Sequence, residues 1–278
     1  MNFKDIIILA LTEDVGDGDH SSMASISEFE HGAMELIAKE EGIIAGIEIA
    51  ENVFHIVDPK LQVCKLLQDG DEIKPGDKIL TVEGKVISML TAERTVLNFL
   101  QRMSGIATST RFYVDMIKDL NIKLLDTRKT TPAMRYFEKY AVSVGGAVNH
   151  RFGLFDMIML KDNHIDFAGG IEKAIDRTKE YLANKQLNLK IEIETRSLDE
   201  VKRVLKHGGV DRIMLDNFTP AQLKEAVQLI DGKYETEASG GITKDTLREH
   251  ALTGVDYISV GALTHHIKSL DLSLKFLK

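Results

Sequence analysis

The 278-residue sequence holds a single cysteine, Cys64. That excludes an internal disulfide and any multi-cysteine metal site, and it points to a reducing compartment. Positive charge is also scarce: 35 Lys and Arg stand against 43 Asp and Glu, a net charge of -8 with histidine neutral. A nucleic-acid carrier needs a basic face for the phosphates, so that class is set aside. No apolar run approaches the roughly 20 residues of a membrane span. The run over residues 6–11 is too short for a signal core, and Thr12-Glu13-Asp14 follows it in place of small residues. A cytoplasmic protein is expected. The H-E-x-x-H spacing is missing as well, so His150, His164, His265 and His266 do not read as a zinc site.

What is present is an ordinary globular composition, 44% hydrophobic and 28% charged, long enough for one large domain or two modest ones. The first hundred residues read as mixed α+β. Strand-like runs at 33–38 and 61–66 flank a helical stretch with Ile49, Val53, Phe54 and Val57 on one face. The turn-rich segment 69–77 then precedes a strand at 79–82. From about Thr91 the pattern turns helical up to Ser104-Gly105. No low-complexity linker marks a boundary, and the change of rhythm places one near Gly105: residues 1–105 form an α+β domain and 106–265 an α/β domain.

Beyond Gly105 the rhythm is βαβα. Apolar runs stand at 123–125, 157–160, 191–193, 213–215, 234–238 and 257–260, the last four spaced by about 22 residues, the length of one strand, one helix and two short loops. Ser197 with Glu200, and Thr219 before Pro220, mark helix starts; Gly208, Gly232 and Gly254 mark stops. The six strands run into Asp126, Lys161, Glu194, Asp216, Ser239 and Gly261. The strand residues beside them read as apolar, so the polar groups belong to strand ends, where the loops of a βα barrel build an active site.

Three groupings around these ends carry chemistry. Arg128-Lys129 after the first strand, Asn149-His150-Arg151, and Lys161 make a locally cationic mouth in an acidic chain, which suits an anionic small substrate. Glu194 and Asp216 end neighbouring strands and offer hard oxygen ligands, which favours magnesium over zinc; pairing of one of them with Lys129 or Lys161 is the alternative. Ser239-Gly240-Gly241 and Gly261-Ala262 set small residues where backbone N–H groups can approach a phosphate, or form plain turns.

As a set, these residues resemble one family, quinolinate phosphoribosyltransferase, also called nicotinate-nucleotide pyrophosphorylase (carboxylating). The resemblance runs nearly end to end. It includes the segments 11–19 (LTEDVGDGD), 93–101 (ERTVLNFLQ), 104–108 (SGIAT), 126–130 (DTRKT), 145–151 (GGAVNHR), 161–164 (KDNH), 215–217 (LDN), 238–241 (ASGG) and 259–265 (SVGALTH). It implies an open-faced α+β sandwich followed by an incomplete α/β barrel of about seven strands, one more than the six located, with a tail near 266–278 returning to the first domain. The implied reaction joins quinolinate to phosphoribosyl pyrophosphate with magnesium and releases pyrophosphate and carbon dioxide, forming nicotinate mononucleotide for NAD synthesis. By position, Arg94, Arg128, His150, Arg151 and Lys161 fall to the quinolinate clamp. Lys129, Glu194 and Asp216 fall to phosphoribosyl pyrophosphate and its magnesium, and Ser239, Gly240, Gly241 and Gly261 to the 5′-phosphate. Arg94 is implied to reach in from a neighbouring subunit, so a homodimer at least is expected, with no nucleic acid or membrane partner.

The match departs from the family pattern at Ala147-Val148, where a further glycine is common, and at Ser143-Val144, where a basic residue and cysteine are common. Three rival readings are a paralogue linked to molybdenum use, a barrel aldolase with Lys161 as Schiff-base former, and a phosphate-binding regulator. The pairing of Arg128-Lys129 with His150-Arg151 argues against the first, and the two strand-end carboxylates against the last.

Overall fold

The computed structural model describes residues 2–277. It divides into two compact units. The first contains the chain up to Phe112, the segment Thr130–Gly146, and the chain from Leu263 onward. Its elements are α1 (Phe3–Val15), α2 (His20–Ser25), β1 (His31–Ala38), β2 (Gly42–Ile43), α3 (Ile47–Val57), β3 (Gln62–Lys65), β4 (Glu72–Ile73), β5 (Lys78–Lys85), most of α4 (Val86–Asp115), α5 (Arg135–Val144) and β12 (Leu272–Leu277).

Four of these strands form an antiparallel sheet in the order β12-β1-β5-β3. Alternation decides which face is covered: Met34, Leu36 and Ala38 on β1 and Leu272 and Leu274 on β12 are buried. The helical face read from the sequence is real, with Ile47, Ile49, Ala50, Val53 and Phe54 buried on α3. The final strand pairs along β1 from Ala33↔Leu277 to Ala38↔Leu272. The tail therefore returns to the first sheet.

The helix α4 does not stop at Gly105, where the rhythm of the sequence suggests a boundary. It continues to Asp115, and the first unit includes it through Phe112. A methyl group at Gly105 would land on the Lys268 carbonyl oxygen, so this glycine permits a close backbone approach inside a helix and is no terminator. A second feature of the first unit is a buried ion pair. Glu138 on α5 is fully buried, and its Oε1 accepts from Arg102 Nε and Nη2 at 2.8 and 2.6 Å. Its Oε2 accepts from the Thr131 amide at 3.2 Å, while Arg102 Nη2 also donates to Thr131 Oγ1 at 2.9 Å. One carboxylate thus ties α4, α5 and the Thr131 turn together.

The second unit holds β6 (Lys123–Leu125), β7 (Ile158–Leu160), β8 (Ile191–Thr195), β9 (Arg212–Asp216), β10 (Glu235–Ser239) and β11 (Tyr257–Ser259). Their order is β6-β11-β10-β9-β8-β7 and every pairing is parallel. Helices α6 (Asp162–Ala168), α7 (Ile171–Lys185), α8 (Leu198–His207), α9 (Pro220–Ile230) and α10 (Leu247–Ala251) alternate with them, and α11 (Ala262–His265), which belongs to the first unit from Leu263 on, follows β11. The seventh stave implied by the resemblance is a single parallel bridge, Leu125↔Val148. There the Val148 amide donates to Leu124 and the Asp126 amide to Val148, at 2.9 and 3.2 Å. The sheet is an incomplete barrel of six strands, ending at β7.

The helix starts fall where the sequence puts them, but of the three glycine stops only Gly208 caps its helix, α10 ending at Ala251 with Leu252 and not Gly254 as its cap. Ser197 accepts the Glu200 amide, and Thr219 and Gln222 cap each other across the start of α9. The stop after α9 falls on Asp231, left-handed at φ 50°, one residue before Gly232. No helix among the described residues is long and apolar enough to cross a membrane.

Candidate active site

Parallel register fixes which side chains share a face. With period two along each strand, Glu192 and Glu194 on β8 align with Arg212, Met214 and Asp216 on β9 and with Glu235, Glu237 and Ser239 on β10. The apolar interior expected from the sequence is therefore not what the strands supply. Beneath the strand-end row lies a charged layer: Glu192 and Glu237 are fully buried, from the alternate strands β8 and β10, with Arg212 of β9 between them. Arg212 Nη1 stands 3.1 Å from Glu237 Oε2 and Nη2 3.1 Å from Glu235 Oε2, and the guanidinium covers the Tyr257 ring at 4.0 Å. Inward-facing charges are tolerated because each meets an opposite one.

At the strand ends the sequence-predicted residues divide. Lys161, just after β7, donates from Nζ to Glu194 Oε2 at 2.8 Å, and the Glu194 residue is only 7% exposed. Of the two alternatives for the acidic pair, the lysine contact is present. Asp216 on the neighbouring strand has its pKa raised, first by burial and then by the charge of Glu194. Asn217 Nδ2 donates to Asp216 Oδ2 at 2.6 Å, and the Asn217 amide donates to the Ser239 carbonyl at 2.8 Å, locking the ends of β9 and β10 together. Gly240 has φ +99°, and a methyl group there would run into Asn217. Only glycine fits that turn.

The cationic loops fall in the same unit. Arg128 and Arg151 are half-buried and Lys129 is exposed. Arg151 Nη1 donates to the Met157 carbonyl at 3.1 Å. Its pKa is lowered by burial first and by repulsion from Arg128 second, so the two guanidiniums act on one another. Arg94 sits on the exposed side of α4, in the first unit. Two residues sit differently from their sequence reading. Asp126 is fully buried and its Oδ1 accepts the His150 amide at 2.7 Å, so it braces the loop below the mouth. His150, implied to join the quinolinate clamp, is itself buried, with Nε2 3.0 Å from Glu192 Oε2 and 3.5 Å from Glu237 Oε2. His164 caps α6, where its Nδ1 accepts the Lys161 amide at 2.9 Å.

Known proteins share this architecture along its whole length. Residues 19–104 match the model of the quinolinate phosphoribosyl transferase N-terminal domain and residues 106–275 that of its C-terminal domain. The chain belongs to the quinolinate phosphoribosyltransferase family. A relative from Nicotiana tabacum, named quinolinate phosphoribosyltransferase [decarboxylating] 1b, is 47% identical over 99% of this chain and 82% of its own. One from Bacillus subtilis, named probable nicotinate-nucleotide pyrophosphorylase [carboxylating], is 43% identical over 99% of this chain and 93% of its own. The crystal structure of NadC from Streptococcus pyogenes superposes with a TM-score of 0.93 at 42% identity, covering 99% of this chain and 97% of that one. Family membership extends to the fold: a mixed α+β N-terminal domain and a parallel α/β sheet of six strands. The residues that reading for motifs missed are Glu192, Arg212 and Glu237. Their signal was the alternation itself, since Glu192 stands two residues before Glu194, Glu237 two before Ser239 and Arg212 four before Asp216, each on the same face as the strand end.

Proposed function

We propose that this protein transfers the phosphoribosyl group of phosphoribosyl pyrophosphate to the ring nitrogen of quinolinate, releasing pyrophosphate and carbon dioxide and forming nicotinate mononucleotide in de novo NAD synthesis. The observation that carries the reading is the strand-end row of the second unit, in which Arg128, Arg151 and Lys161 are combined with the acidic residues Glu194 and Asp216. A substrate with two carboxylates needs such a set of cations, and planar guanidiniums suit carboxylates best.

Arg128, Arg151 and Lys161 hold the quinolinate carboxylates. Ser239, Gly240, Gly241 and Gly261 receive the 5′-phosphate on backbone N–H groups, and Lys129 draws the departing pyrophosphate. As the bond from the anomeric carbon to pyrophosphate oxygen breaks, that carbon gains oxocarbenium character and the quinolinate nitrogen bonds to it. A nearby carboxylate, Glu194, stabilises the developing positive charge. The alkylated ring then accepts the electron pair left when the adjacent carboxylate departs as carbon dioxide, and a proton replaces it on the ring carbon.

Magnesium fits the acidic pair. Asp216 is held above its ordinary pKa by burial and by Glu194, an unfavourable proximity that a divalent cation relieves. When bound, magnesium neutralises charge on the leaving pyrophosphate. The double variant Glu194→Gln, Asp216→Asn should lose magnesium-dependent turnover while its unfolding transition is kept. Wild-type turnover across a magnesium titration would remove the assignment.

The oligomer is read as a homodimer in which Arg94 of one subunit completes the site of the other. Support comes from its exposed place on α4, outside the unit that holds the remaining residues. Mixing inactive Arg94→Ala with inactive Lys161→Met protein under subunit exchange should restore up to about a quarter of wild-type activity, because half the dimers are mixed and each has one intact site. Demonstrated exchange without recovery would place Arg94 in its own chain's site. A cytoplasmic location is part of the same reading, although some plant relatives are named mitochondrial or chloroplastic; cell fractionation decides it. The assay for the whole proposal follows nicotinate mononucleotide by mass, with quinolinate, phosphoribosyl pyrophosphate and magnesium supplied. Well-folded protein that forms none would overturn it.

A further inference from the structure

The second unit buries three ionisable side chains that the transfer chemistry leaves unused. Glu192 and Glu237 are fully buried on β8 and β10, and the His150 imidazole meets both through Nε2, at 3.0 and 3.5 Å. On its other side Nδ1 accepts the Arg151 amide hydrogen at 2.7 Å. The His150 amide is in turn held by Asp126 Oδ1 at 2.7 Å. Hydrogen bonds fix the backbone and Nδ1, while Nε2 faces the two carboxylates at ion-pair distance. These three side chains lie close enough to ligate a metal ion, all ligand atoms within 4.8 Å. Arg212 already fills that role, 3.1 Å from Glu237 Oε2 and 3.9 Å from Glu192 Oε2, and its charge would repel an added cation.

Resting on the reading of Arg151 as a quinolinate ligand, we infer that Glu192, Glu237 and His150 are positioning residues: the strand carboxylates hold the imidazole, the imidazole holds the Arg151 amide, and the Arg151 guanidinium is thereby fixed for a substrate carboxylate. The charges agree with this chain of contacts. These contacts need a neutral ring, because Nδ1 has a lone pair for the Arg151 amide only while the imidazole carries a single proton. Because the Arg151 amide occupies the Nδ1 lone pair, the ring proton faces the carboxylates on Nε2. Glu192 also attracts Arg151 and so offsets part of its repulsion from Arg128. Two guanidiniums that must stand together before substrate arrives need such a counter-charge beneath them.

The test combines spectroscopy on the wild-type enzyme with one shape-preserving variant. With histidine and arginine side-chain nitrogens labelled, saturating quinolinate should move the Arg151 guanidinium resonance and leave the His150 ring resonances in place. Glu237→Gln should weaken quinolinate binding about tenfold or more in calorimetry, as changes behind a direct ligand commonly do, with phosphoribosyl pyrophosphate affinity unchanged. Movement of the His150 resonances on quinolinate binding would make it a direct ligand and overturn the inference, and the wild-type titration needs no variant to fold. Unchanged quinolinate affinity in Glu237→Gln would overturn it too. Failure of the underlying reading has a different signature: the Arg151 resonance stays in place and Arg151→Gln binds quinolinate normally, which removes the ligand and its positioning together.

Discussion

Lys161→Met should leave the protein folded and cut turnover by about 100- to 1,000-fold, the size of losing one preorganised charge contact, with quinolinate affinity falling far more than that for phosphoribosyl pyrophosphate. The ammonium group lies half-exposed at the end of β7, so little packing is lost with it. What is lost is a cation that both faces the mouth and grips Glu194 at 2.8 Å. Without it, two partly or wholly buried carboxylates, Glu194 and Asp216, face one another with less compensation. Asp216 is held above its ordinary pKa by burial and Glu194, and Lys161 is among the groups pulling it back down. Removing the lysine moves that pKa further up, so the carboxylate is lost at a higher pH than in the wild type. The acidic limb of the pH–rate profile should accordingly shift to higher pH. Calorimetry showing unchanged quinolinate affinity would count against the clamp, and an unmoved acidic limb against the coupling to Asp216.

The largest stability effect is expected at Glu138, on α5 in the first unit and not at a strand end. Replacing it by alanine leaves the Arg102 guanidinium and the Thr131 amide without the carboxylate that both now use. Breaking a buried pair by removing one partner costs about 3–5 kcal/mol, because the remaining charge stays desolvated. Arg102 retains partial contact with water, which favours the lower end of that range. Glu138→Gln keeps an acceptor for Thr131 and should lose less. Urea unfolding of the two variants separates the charge from the hydrogen bond. A change below about 1 kcal/mol in the alanine variant, the scale of an ordinary surface hydrogen bond, would show that the pair does not hold this region together.

The sequence made the strand ends legible because each strand is short, apolar where it faces the helices, and followed by a polar or small residue: Lys161, Asp216 and Ser239 were found this way. The capped helices were legible because Ser197 and Thr219 each bring a partner three residues on. What escaped was the inward face of the same strands. Glu192 and Glu237 sit among β-branched or small neighbours, and a run such as Ile191-Glu192-Ile193-Glu194 reads equally well as a half-exposed strand. Only the closing curve of a barrel turns its polar side inward, and curvature is not a local property. That the helix runs on past Gly105 escaped for a related reason, although the two family domains do meet at that residue. A glycine in a helical pattern signals an end or a close neighbour, and the neighbour, the backbone at Lys268, lies far away in sequence.

The pairing of β12 with β1 imposes an order of events on synthesis. The strand that completes the first sheet is made more than 230 residues after its partner His31–Ala38. While the ribosome is still building the six-stranded unit, β1 has β5 on one flank and a bare row of N–H and C=O groups on the other. Such an edge invites pairing with another nascent chain. Contacts so distant in sequence also form slowly. The six-stranded unit, whose main segment Ala147–Ala262 is continuous, is complete in the chain before β12 is made. The earlier-made sheet must wait, and its open flank is where chaperones are needed and where truncation before Leu272 would send the chain into aggregates.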